Sequence, residues 1–196
     1  MRPIGFVAAG LLLMAGPAWA QSSASTDAGW PCDVEPKAKL ELSDYWKQPV
    51  ASEAWRSNAE VASLVSDVAP RRVAQDEAVA RLSALATRPA AFRGLVAAGL
   101  VETIDAERHS IIVGIKRFNA RQALLATRIE SSYAQLEAPK GAPVEASKAA
   151  LEEQAEWDTR IFEDRQKMLP VICRQPAVLE ARLGALISAL KSTPKP

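Results

Sequence analysis

The sequence predicts an all-α protein: a long antiparallel helical hairpin, coiled-coil-like, packed with shorter helices into a bundle, with an irregular N-terminal strap fixed by one disulfide. Three observations predict it. Alanine, leucine and other strong helix formers fill most of the chain, and β-branched runs are few. Residues 90–137 contain no proline and keep apolar side chains three and four apart. The two cysteines, Cys32 and Cys173, allow a single pairing, which ties the N-terminal region to the far end of the sequence.

Residues 1–20 have the layout of a secretory signal peptide. Arg2 precedes an apolar run from Ile4 to Met14, Gly16-Pro17 breaks it, and Ala18-Trp19-Ala20 offers small residues where a signal peptidase reads. The run is far shorter than the roughly 20 residues a membrane-spanning helix needs. Cleavage after Ala20 is expected, with no membrane insertion afterwards and, since no cysteine follows the cut, no lipid anchor. The mature protein is expected in the periplasm or secreted, an oxidising setting in which Cys32 and Cys173 pair. A loop that long gives roughly 5 kcal/mol in the chain-entropy description, as an upper figure.

Removing residues 1–20 leaves 176 of the 196 residues, a length that suits one domain. Arg2 leaves with them, so 23 basic side chains face 23 acidic ones. A net charge of zero argues against a nucleic-acid binder, which needs a basic surplus. It gives no reason to expect an anionic membrane partner either.

Residues 21–51 read as an irregular tail and strap, ahead of a single helical domain over 52–196. Residues 21–28 are small and polar, and prolines at 31, 36 and 49 prevent any long helix. Trp30, Trp46 and Trp55 fall in or just after this stretch and predict rings that anchor the strap to helices beneath it. An aromatic ligand cage is the functional alternative. Short helices are predicted at about 58–69, capped by Asn58 with Val61, Leu64, Val65 and Val68 inward, and at about 76–87, with Val79, Leu82 and Leu85 inward.

Pro89 suits the first turn of a helix over about 90–137. Its second half presents Ile111, Ile115, Phe118, Gln122, Leu125, Ile129, Ser132 and Leu136, a coiled-coil-like seam with two polar interruptions. Gly99 marks the expected place of any bend. Pro139-Lys140-Gly141-Ala142-Pro143 signals a turn. A helix over about 144–169 follows, with Ala150 or Leu151, then Gln154, Trp157, Ile161 and Met168 as its stripe and Glu156, Arg160 and Asp164 as an outer ion ladder. A last helix over about 176–191 presents Val178, Leu179, Leu183, Leu186, Ile187 and Leu190. A short turn between long helices implies antiparallel packing, which brings Cys173 level with Arg108 and His109.

Chemistry-bearing patterns are sparse. Asp105 and His109 stand four apart and share a helix face, making them the candidate metal ligands, but two ligands do not close a site. The Glu-x-x-His spacing of di-iron bundles is broken by Ala106. Gly-x-Ser-x-Gly, Cys-x-x-Cys, His-Glu-x-x-His and Gly-rich phosphate loops do not occur. No catalytic or cofactor-binding residue is therefore assigned, and no cofactor is expected. Ile104, Asp105, Arg108, Ile111 and Ile112 resemble part of the first helix of helical chorismate mutases, over residues 104–112. For an enzyme, that resemblance implies several arginines and a lysine converging on a dicarboxylate; Arg108, Lys116 and Arg121 are the residues at hand.

These readings rank an exported protein-interaction or scaffolding module first, its partner another protein or a second copy of itself. A periplasmic metal or small-ligand binding or sensor protein centred on His109 and the aromatic strap comes second. A helical mutase-like enzyme comes third.

Overall fold

The computed structural model describes residues 29–137 and 145–192. The expected signal segment and the turn at Pro139–Pro143 lie outside them. The described chain is all helical: α1 (Leu42–Tyr45), α2 (Ala59–Val68), α3 (Gln75–Ser83), α4 (Ala90–Glu137), α5 (Glu145–Cys173) and α6 (Gln175–Lys191). Single 3-10 turns occupy Ser52–Trp55 and Ala84–Thr87. The long α4 packs antiparallel to α5 and α6, and the shorter helices close around its first half.

The bundle end contains a continuous apolar core. Trp46 and Trp55 of the strap, Val61, Val65 and Val68 of α2, Leu82 of α3, Val96, Leu100 and Ile104 of α4, and Leu179, Leu183, Leu186 and Leu190 of α6 meet there. Each fully buried aliphatic side chain stabilises by about 1.5–3 kcal/mol relative to exposure. Asn58 caps α2 as its position predicts, accepting from the Val61 amide at 3.1 Å. Two arginines serve helix C-termini, those of α2 and α6. Arg182 donates to the carbonyls of Val68 and Pro70 at 3.0 and 3.1 Å, and Arg93 donates to that of Leu190 at 2.7 Å. The Val68 and Leu190 carbonyls are ones that the last turn of a helix leaves without an amide.

The helix α4 runs unbroken for 48 residues, about 72 Å at 1.5 Å per residue. Gly99 therefore marks a close approach and does not break the helix. A Cβ there would stand 2.7 Å from Val65 Cγ2 and 3.0 Å from the Trp55 ring. Gly94 does the same for Val50, at 2.6 Å. Gly94 lets the strap, and Gly99 lets α2 and the Ser52–Trp55 turn, lie directly on the helix backbone.

The structure departs from the sequence reading in α5. Leu151, Ala155, Asp158, Phe162, Leu169 and Ile172 turn toward the rest of the molecule, whereas Gln154, Trp157 and Met168 are exposed. Side-chain size suggested the wrong phase. The seam takes small Ala155 where α4 comes close and Asp158 where Arg128 reaches across. Val178 is likewise exposed, because it faces outward one turn into α6. The helix also continues through Pro170 to Cys173. Pro170 is exposed and lies three residues from the end of the helix, so the donor it removes and the crowding of its ring fall on the last turns alone.

Cys32 and Cys173 are joined, 141 residues apart in sequence with Cα atoms 5.7 Å apart. The bridge lies beside Trp30, Ile111, Ile112, Ile115 and Ile172, one turn further along α4 than Arg108 and His109. Contacts such as Gln122 to the Phe162 carbonyl and Arg128 to Asp158 set this register.

Candidate functional site

Two regions are distinguished by their surfaces: the junction, where the strap crosses α4 and α6, and the arm, formed by the second half of α4 and by α5.

At the junction the strap is held by polar contacts as well as rings. Arg108 is fully buried and donates to Glu180 Oε1 at 2.6 Å, to the Lys37 carbonyl at 2.7 Å and to Asp105 Oδ1 at 3.4 Å. Asp105 Oδ1 also accepts from the Leu40 amide at 3.1 Å. Asp105 thus fastens the strap to α4, while His109 is exposed one turn on. Both line a cleft of about 480 Å³ with Leu40, Glu53, Val101 and Glu102. Among the described residues, no group of three or more His, Cys, Asp or Glu side chains is placed to hold a metal ion.

Glu102 in the cleft wall accepts from Trp55 Nε1 at 2.7 Å and from both Nη atoms of Arg56. The Arg56 hydrogen bond, then that of Trp55, holds its carboxyl below the usual carboxylate range. Burial, and then the charges of Glu180 and Asp44, push the Tyr45 hydroxyl up. Burial lowers Arg182, partly offset by Glu107. Trp30, Trp46 and Trp55 are 6%, 6% and 9% exposed, so their rings serve packing and present no open cage. The arginines and lysine that a mutase-like site needs are dispersed. Arg108 is held within the fold, and Lys116 and Arg121 project from different faces of α4.

The arm differs in kind. Its seam holds the eight positions expected on α4, all buried or half-buried. Across the seam Asp158, 1% exposed, accepts from Arg128 Nη2 at 2.5 Å. Asp158 Oδ2 and Gln122 Oε1 are buried without a hydrogen-bond partner among the described residues. The outside of the arm carries large apolar side chains: Leu124 (72% exposed), Trp157 (57%) and Met168 (52%), with Val171 and Val178 continuing along the outer edge into α6. The Arg160 guanidinium stacks over Trp157, 5.6 Å from the ring centroid.

One side of the arm's seam is lined with arginines. Arg117, Arg121, Leu124 and Arg128 recur at spacings of four, three and four, forming one row on α4. The Arg128–Asp158 contact places that row on the same side of the seam as Ile161, Arg165 and Met168 of α5. Glu130, Glu152, Glu156 and Glu163 fall on the opposite side. Sequence reasoning singled out Arg121 but missed Arg117, Leu124, Arg128 and Arg165; the four-three-four spacing on a helix already placed was the available signal. No family model, no curated protein and no solved structure matches this chain.

Proposed function

We propose that this chain is an exported protein-interaction module in which a disulfide-fastened bundle presents the helical arm to another protein. The observation that carries the reading is the set of large apolar side chains on the outside of the arm, led by Leu124 and Trp157. Soluble domains tolerate single exposed apolar residues, but a cluster on a projecting two-helix element marks an interaction surface. Export is supported by the signal-like residues 1–20 and by a cystine spanning most of the chain, a bond that persists in oxidising compartments.

A photo-crosslinking side chain placed at Leu124 or Trp157 in intact cells tests it. Capture of a protein from these positions, and not from Asp76 on the exposed face of α3, is the expected result. Absence of capture from both arm positions, with a monomeric purified protein, would overturn the reading.

A further inference from the structure

We propose that the arginine-bearing side of the arm receives an amphipathic helix whose apolar ridge is flanked by carboxylates; the proposal rests on the interaction-module reading and names the chemistry of the partner. Arg117, Arg121 and Arg128 on α4 and Arg165 on α5 lie on one side of the seam, and all four are exposed. Arg128 is engaged by Asp158, whereas Arg117, Arg121 and Arg165 have no carboxylate partner among the described residues. Asp158 is buried beneath Arg128, and Asp164, at the outer edge of the same side beside Ile161 and Met168, is paired with Lys167; Glu130, Glu156 and Glu163 fall on the other side. This is an unneutralised basic strip on a chain whose mature sequence carries no net charge.

Its shape selects among anions. From Arg117 to Arg128 the strip runs about 16 Å along the helix axis. Leu124, Ile161 and Met168 lie among the guanidiniums. A compact anion would meet one or two arginines and leave these apolar groups in water. A helix laid between α4 and α5 would cover the apolar groups and set its own acids against the arginines, turning the two-helix arm into a three-helix bundle. A second copy fits less well. Its glutamates lie on the opposite side of its own arm, so basic-to-acidic contact would be heterologous, building a ring or a filament and not a two-fold dimer.

The probe is a labelled synthetic helical peptide of about three heptads, with a leucine ridge flanked by glutamates, set beside a twin flanked by lysines. Fluorescence anisotropy with the full disulfide-bonded chain should show binding of the glutamate peptide alone, weakening as salt rises. Arg121→Glu with Arg165→Glu should weaken it by about tenfold or more, with Arg121→Gln and Arg165→Gln intermediate and circular dichroism unchanged. Equal binding of both peptides, or binding of neither, would overturn the proposal. So would arginine-dependent binding of phosphatidylglycerol vesicles or polyphosphate without binding of the peptide, or arginine-dependent self-association. Crosslinks from Leu124 and Trp157 that persist in cells carrying the double glutamate variant would remove the charge match while leaving the interaction module standing. Loss of crosslinks in the unsubstituted chain would remove the module itself.

Discussion

The bundle and the arm are built on the same helix α4 and are stabilised by different means. Around the first half of α4 lie aliphatic side chains from four other elements, two tryptophans and the fully buried Arg108. Around the second half lies one helix, and the buried seam there mixes Leu125 and Ala155 with Gln122, Ser132 and Asp158. Apolar burial is non-directional and cumulative, so many small contributions add up in the bundle. Polar seam contacts fix register but add little net stability, because desolvation offsets most of their gain. The arm therefore holds a defined shape with a small margin, a state that a third helix could complete.

The comparison is tested most severely by the disulfide, which sits where the two regions meet. Reducing it, or Cys173→Ser, should destabilise the protein by up to about 5 kcal/mol on the chain-entropy description and expose the strap to proteolysis. Thermal melts and limited proteolysis with and without reductant measure this. An unchanged melting temperature would mean that the bundle holds the strap unaided. Next in size is Arg108→Ala. It leaves Glu180 and the Lys37 carbonyl without their donor and should cost about 3 kcal/mol. Chemical denaturation would show the loss across the whole bundle. Arg128→Ala, by contrast, should open only the arm, seen as faster amide exchange in the arm segments of α4 and α5 with the bundle unaffected.

How much was legible in the sequence follows the same division. The run without proline after Pro89, the Asn58 cap and the cysteine count each depend on local chemistry, and the corresponding helices and bridge are where that chemistry puts them. The phase of α5 was not legible. Trp157 and Met168 look like core by size, and only the approach of α4 selects Ala155 and Asp158 instead. Burial of Arg108 and Arg182 was not legible either. It depends on carbonyls of Lys37 and Val68, which reach those arginines only through the tertiary fold. A formal net charge of only +1 hid the arm's polarity, since Arg121 and Arg165 come together only when α5 folds back on α4.

A gain of stability would sharpen the contrast further. If polar seam groups limit the arm, replacing Asp158 and Gln122 together with leucine should stabilise it by about 1–2 kcal/mol, because two buried acceptors without partners are removed. Amide exchange in the arm should slow while bundle exchange stays the same. Faster exchange would show that the Arg128–Asp158 pair contributes more than its desolvation costs.

The smallest effect belongs to acid. Glu102 is held below its ordinary value by Arg56 and then by Trp55, so its folded-state value lies under the roughly 4.3 of an unfolded glutamate. A carboxylate shifted in that direction contributes its full stability above the unfolded value and loses it as pH falls through the folded one. Because the side chain is about half exposed, solvent screening keeps the contribution small. Melting temperature should therefore decline as pH drops below about 4, and Glu102→Gln should flatten that part of the curve. The effect belongs to the bundle, where Trp55 packs. An acid-induced change confined to exchange in the arm, with Glu102→Gln behaving as the unsubstituted chain, would place the sensitive carboxylate in the seam instead.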